Sequence, residues 1–241
     1  MIYFLYFILL SLPLYLVRFS LFGIPTTVLE IEIYILGIWF LAHRAWRGEV
    51  KNSVREIVRN PFFAPLILFL LAGAISVLVA GDRTTALGIF KAYFFDSALF
   101  FVLCISIIKT KEQLTRAISA VVLSGVIVAL VGFVGYFGYP SLLEDGRLRS
   151  VFSSPNYLSL YITPLSFLAL GVIGCIGHRG RMAMCGAMFV LTAAIVLTLS
   201  RGAWLGFLIA AAFLAGLLIV RKFSAHRVVG VVGFMVAVAV I

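Results

Sequence analysis

Charge is scarce in this chain, and acidic charge most of all: nine aspartates and glutamates stand against nineteen lysines and arginines in 241 residues. Charged residues make up only 12% of the sequence, against 63% hydrophobic. A soluble domain needs more polar surface than that, and a mean hydropathy of +1.19 excludes one. Cysteine is also sparse. Cys104, Cys175 and Cys185 all fall in apolar runs without metal-ligand spacing, which excludes a disulfide framework and reads as apolar filling. The acids form no paired-carboxylate or Asp-x-Asp cluster, so neither a metal nor another cofactor is expected. The opening "MIYFLYFILLSLPLYLV" lacks both a basic leader and a small-residue cleavage site, and so reads as a first span rather than a removable signal. There is no internal repeat and no low-complexity linker, which predicts one membrane domain over residues 1–241.

What remains is a succession of long apolar runs. Lipid offers the backbone no hydrogen-bond partners, so runs of roughly 17 to 25 apolar residues indicate spanning helices. The expected fold is all-α, a polytopic helical bundle of about nine spans. These are Ile2–Val17, Ile24–Ala42, Phe62–Ala80, Ala92–Ile108, Ala117–Gly138, Asn156–Ile176, Met182–Leu199, Ala203–Val220 and a final run from Val228. The last run reaches Ile241 after only 14 residues, so the chain is expected to stop inside its ninth helix.

The net charge of +10 is dispersed in small clusters between spans, which is a topology signal rather than a nucleic-acid footprint. Thirteen basic residues fall on one set of alternate connections: residues 44–59, 109–116, 179–181 and 221–227. The other set holds six: Arg18, Arg83, Lys91, Arg147, Arg149 and Arg201. The positive-inside rule makes the first set and the N-terminus cytoplasmic. The six outer cations then need another explanation. Arg147, Arg149 and Arg201 lie on consecutive outer connections, which brings Arg149 and Arg201 within reach of each other.

Several local signals refine this outline. In "HRAWRGEVKNSVREIVRN", Trp46, Val50, Val54 and Ile57 recur at helical spacing between charges, as in a helix lying in the inner interface. Asn60-Pro61 and Ser154-Pro155 read as helix starts, with Asn60 or Ser154 capping. "EDG" at Glu144–Gly146 reads as a turn, and Gly202 and Gly206 in "GAWLG" have the spacing that lets helices approach closely. Phe94, Phe95 and Tyr136 suit an outer aromatic belt or a bed for a polyprenyl tail. Glu30, Glu32 and Asp96 lie inside spans, where carboxylates face a partner or a cavity. The simpler expectation is an ion pair with an outer arginine, the alternative a role in acceptor handling. Glu30 and Glu32, two positions apart, cannot share one helix face.

Helices beginning near Pro155 and after Arg201 would point their N-termini outward, and such ends attract anions. With Arg149 and Arg201 beside them they would form an outer anion site, for which arginine's planar fork is suited. Snorkelling to lipid headgroups, or pairing with Glu144 and Asp145, is the competing reading.

"RLRSVFSSPNYLSLYITPLSFLALG" (Arg147 to Gly171) and "LTLSRGAWLGFLIAAAFLAG" (Leu197 to Gly216) resemble the core of the O-antigen ligase and polymerase superfamily. "LGIFKAYFFDSALFFVLCISIIKTKEQLTRAI" is similar more loosely, so that the family core extends over about residues 83–220. The resemblance implies a glycosyltransferase of the bacterial inner membrane, active on the periplasmic face. It would take glycan from an undecaprenyl-pyrophosphate carrier and pass it to lipid A core, a growing polysaccharide or a protein. It implies that Arg149 and Arg201 hold the pyrophosphate, with Arg147, two residues off the matching arginine, as a third candidate. Asn156 and Ser200 are expected at helix ends rather than in catalysis. Fixed positive groups would stabilise the leaving pyrophosphate, and the acceptor hydroxyl would need a general base. In the family that base is a histidine in a large late outer loop. His43, His178 and His226 all fall on the cytoplasmic side, so the base is expected beyond Ile241, the transfer is expected to be metal-independent, and the fragment alone is expected to be inactive. The alternative is a secondary transporter of an anionic solute with an outward arginine gate, although the midplane binding groups and repeated halves of transporters are not evident.

Overall fold

The computed structural model describes residues 1–21, 24–138 and 140–222. It is predominantly helical, and the contacts divide it into two compact units: Met1–Val128 with Leu168–Ala187, and Ala129–Phe167 with Met188–Ile241. The expected ninth span, with His226 and Arg227, lies outside the described residues.

The first unit opens with α1 (Ile2–Leu10), which gives way at Ser11 to a 3-10 turn over Leu12–Leu16. Pro13 sits in the first turn of that segment, where its missing N–H does no harm. The expected first span is therefore two short pieces. An antiparallel hairpin follows, β1 (Arg18–Leu21) with β2 (Ile24–Thr27), pairing Arg18 with Thr27. The second span begins in this hairpin and turns helical only at α2 (Val28–Trp46), where the Thr27 hydroxyl accepts the Glu30 N–H at 3.2 Å.

The end of α2 is a Schellman motif: the Gly48 N–H donates to the Ala45 carbonyl and the Glu49 N–H to that of Arg44. Gly48 supplies the left-handed residue this closure needs, with φ at +67°. The chain then enters α3 (Val50–Arg59), the expected amphipathic helix, with Val50 and Val54 exposed on it and Ser53 buried. Trp46 belongs to the end of α2 instead. The Asn60 side chain accepts the Phe62 N–H at 3.0 Å, and the chain bends by 87° into α4 (Phe63–Val79).

Next, Asp82 starts α5 (Arg83–Ile89) by accepting the N–H groups of Thr84 and Thr85. Hydrogen bonds from the Thr85 hydroxyl and backbone hold this carboxyl below an aspartate's ordinary range. A π-helical segment, Phe90–Phe95, leads without a break into α6 (Asp96–Ile107). Its Phe94 stacks on Phe69 at 4.6 Å and on Phe90 at 5.8 Å. A Cβ on Gly73 would lie 2.5 Å from the Phe94 ring, so α4 must carry a glycine there. Thr110 and Gln113 then form a reciprocal capping box at the start of α7 (Lys111–Phe137). The unit's core gathers Leu5, Ile8, Leu36, Phe40, Leu103 and Ala117 from α1, α2, α6 and α7.

In the second unit the last turns of α7 are followed by a 3-10 turn (Pro140–Leu142) and a small hairpin, β3 (Leu143–Glu144) with β4 (Arg147–Leu148). Then come α8 (Pro155–Ile173), α9 (His178–Leu197) and α10 (Arg201–Lys222). Only the start of α8 and the end of α9 belong to this unit. Gly132 and Gly135 on α7 make room for the hairpin. An added Cβ would lie 3.0 Å from that of Ser150 at Gly132, and 2.5 Å from that of Leu142 at Gly135. Because the Leu142 Cβ is fixed to the backbone, Gly135→Ala should displace the turn and destabilise the protein by about 1–3 kcal/mol, read as a lower midpoint of thermal unfolding in detergent.

Among the described residues, four stretches are long and apolar enough to cross a bilayer: Arg83–Ile107, Lys111–Tyr136, Pro155–Ile173 and His178–Leu197. The bent pair α3 and α4 makes a fifth if it counts as one span. Nine spans were expected. Part of the difference has physical causes at particular helices: α1 breaks at Ser11, and α2 carries Glu30, Glu32 and Arg44. Large apolar side chains such as Leu160 and Phe189 are more than 70% exposed, as suits helices facing lipid rather than water.

Candidate functional site

The three arginines singled out by the sequence lie in the second unit, on the two connections that precede α8 and α10. The first connection is shaped by Asp145 and Gly146, whose φ values of +50° and +73° make the two-residue turn of a tight hairpin. "EDG" is thus the turn it was expected to be. The Tyr136 hydroxyl donates to the Gly146 carbonyl at 2.9 Å, tying the turn to α7. This gives Tyr136 a specific bond beyond any part in an aromatic belt. Beyond the hairpin, the Ser154 hydroxyl accepts the Tyr157 N–H at 3.4 Å and Pro155 opens α8, as read from the sequence.

Arg149 is turned into its own loop. Its guanidinium donates to the Ser141 carbonyl at 2.7 Å and to that of Phe152 at 3.2 Å. Arg147 reaches across instead: Nε donates to the Thr198 carbonyl at 2.9 Å and Nη2 to Asn156 Oδ1 at 3.2 Å. The side chain joining the two arginine-bearing connections is therefore Arg147, the third candidate. Asn156 stands at the start of α8, as expected, and steers that side chain.

The second connection is a chain reversal of three residues. The Thr198 hydroxyl donates back to the Ile195 carbonyl at 2.7 Å and accepts the Ser200 N–H at 3.3 Å. Leu199 takes φ of +50°, a left-handed conformation that a leucine rarely adopts. Ser200 is the cap the sequence suggested, its hydroxyl accepting the Ala203 N–H at 3.4 Å. Arg201 is the first residue of α10. It is exposed and makes no hydrogen bond or ion pair among the described residues.

Pairing of these arginines with Glu144 or Asp145 is not realised among the described residues. Among the described residues no close helix approach is seen at "GAWLG": a Cβ on Gly202 or Gly206 would meet none of them within 4 Å. Trp204 ties α10 to α9, its indole N–H donating to the Ile195 carbonyl at 3.2 Å, and the Phe167–Phe207 ring contact ties α10 to α8.

The membrane carboxylates lie in the first unit. Glu30 forms its ion pair with Lys91, not with an arginine, and accepts the Thr26 hydroxyl at 2.7 Å. Glu32 points elsewhere and accepts the Ser11 hydroxyl, so the two glutamates diverge as their spacing requires. Asp96 accepts the Tyr34 hydroxyl at 2.6 Å.

Sequence reasoning did not reach Gly132, Gly135 or Trp204, which seat the two connections. The glycines three apart in "LVGFVGYFG" were a visible signal, since small residues at that spacing line one helix face.

In comparisons with known protein families, curated proteins and solved structures, the chain matches none.

Proposed function

We propose that this chain is a membrane glycosyltransferase of the O-antigen ligase type, moving glycan from an undecaprenyl-pyrophosphate carrier to a lipid A core, polysaccharide or protein acceptor. In this reading it sits in the bacterial inner membrane with up to nine spans and a cytoplasmic N-terminus, and its arginine-bearing connections face the periplasm. The observation that carries the reading is Arg201: an exposed guanidinium without a protein partner among the described residues, on the first turn of α10, where unpaired backbone N–H groups also favour an anion. Arg147 adds a second cation anchored to the same chain reversal through the Thr198 carbonyl. Arg149 supports the hairpin from within and contributes its charge. The motif resemblance names the anion as a pyrophosphate.

Such an arrangement suits a reaction in which negative charge grows on the departing pyrophosphate. Preorganised cations stabilise that charge more in the transition state than before bond cleavage. The general base would come from another part of the protein.

The test uses the complete protein, rather than residues 1–241 alone, in proteoliposomes with an undecaprenyl-pyrophosphate-linked glycan and an acceptor lipid. Transfer, seen as a mobility shift of the acceptor, is the expected result. Uptake of inorganic phosphate into vesicles free of lipid-linked sugar, without glycan transfer, would overturn the assignment in favour of an anion transporter.

A further inference from the structure

The first unit holds a cavity of about 750 Å³ at the end of the helices that carries the β1–β2 hairpin and the start of α5. Its polar groups include Arg18, Thr26, Glu30, Lys91, Tyr93 and Asp96, and apolar side chains such as Leu12 and Ile33 line it as well. This size falls within the range of small-molecule sites.

Two features make it more than a packing gap. The first is the π-helical segment. In a regular α-helix, positions five apart diverge by about 140°, at 3.6 residues per turn. Here the Asp96 N–H donates to the Lys91 carbonyl, five residues back, and this wider turn places both side chains on the cavity. The second is Asp96 itself. It is only 3% exposed, and while Oδ1 accepts the Tyr34 hydroxyl, Oδ2 has no hydrogen-bond partner among the described residues. A buried carboxylate oxygen without a donor is costly. The carboxyl turns on a soft terminal torsion, which can offer either oxygen to a donor in the cavity.

The charges identify the class of ligand. Lys91 and Glu30 neutralise each other in an ion pair, and Lys91 also donates to the Pro25 carbonyl. Arg18 and Asp96 leave one cation and one anion on the wall. A net-neutral, mostly apolar lining with a small set of donors and acceptors favours a neutral hydroxyl-bearing head on an apolar tail over an anion or a cation. We propose that this cavity binds the sugar head of a glycolipid-like amphiphile, with Asp96 accepting a hydrogen bond from a ligand hydroxyl. The proposal does not rest on the carrier-grip assignment of the arginines.

The test uses the full chain in phosphatidylcholine nanodiscs and n-octyl-β-D-glucoside below its micelle threshold, with a diazirine derivative as photolabel. Saturable labelling should map to peptides within residues 12–33 and 84–100. Unlabelled octyl glucoside should compete at lower concentration than 1-octanol, octylammonium or octyl phosphate. Asp96→Asn, which keeps the shape but removes the charged acceptor, should weaken binding about tenfold, the effect of losing a hydrogen bond to a charged group. Labelling confined to other peptides, equal competition by 1-octanol, or tighter binding of either charged octyl compound would overturn the proposal, and these arms need only the unaltered protein. Unchanged affinity in a folded Asp96→Asn protein would overturn it as well.

Discussion

Arg201→Ala should lower glycan transfer by the complete protein at least a hundredfold while leaving the protein folded in the membrane. The magnitude is that of removing one preorganised charge-stabilising donor, about 10²- to 10³-fold in rate. Structural integrity is expected because the Arg201 side chain holds nothing: it is exposed and makes no hydrogen bond or ion pair among the described residues. The turn beneath it is secured by Thr198, Ser200 and Trp204. Arg149→Ala should behave differently. Its guanidinium satisfies two carbonyls of the 141–152 loop, so its loss should reduce transfer and lower the unfolding midpoint together. Parallel assays of transfer and thermal unfolding separate the cases. Full transfer by a folded Arg201→Ala protein would remove the basis of the carrier-grip reading.

The Glu30–Lys91 pair should show the largest effect on stability. Its side chains are 11% and 28% exposed, so each charge relies on the other rather than on solvent. Lys91→Met alone, which strands the glutamate, should cost about 3 kcal/mol, the low end of the range for breaking a buried pair. Glu30→Gln alone strands the ammonium and should cost a similar amount. The double variant should recover most of the loss, because replacing both partners removes the desolvation burden with the attraction. Thermal unfolding of the four proteins in one detergent gives the coupling directly. Additive losses would show that the pair contributes nothing beyond its separate contacts. The hairpin gives the pair a further role, since Lys91 also donates to the Pro25 carbonyl and Glu30 accepts from Thr26.

Much of the local architecture was legible because it rests on near neighbours. The amphipathic period before Asn60 gave α3, Ser154-Pro155 gave the start of α8, and Asp145-Gly146 gave a turn. The intramembrane acids were correctly expected to face partners or a cavity. Their partners were not legible. Nothing in "LGIFKAYFFDS" announces a π-helical turn, and without it Lys91 and Asp96 fall on different faces. The β1–β2 hairpin was hidden inside an apolar stretch read as helix. At the arginine connections, the hydrogen-bond partners of each arginine were not legible. Whether an arginine meets a carbonyl in its own loop, as Arg149 does, or one across a gap, as Arg147 does, depends on backbone direction at Ser150 and Leu199, which residue type does not disclose. The "GAWLG" spacing meets no neighbour among the described residues, since a small-residue motif permits close approach without naming the helix that makes it.

Both arginine-bearing connections pass through a non-glycine residue in the left-handed region, Ser150 at φ of +54° and Leu199 at +50°. Such conformations persist only where the surroundings over-determine them. The presentation of these cations is therefore imposed from outside the loops. A free peptide copy of either connection would relax toward ordinary backbone and lose the pose. Transplanting the arginine pattern to another membrane protein would thus mean transplanting the glycine-notched end of α7 and the α9–α10 reversal with it.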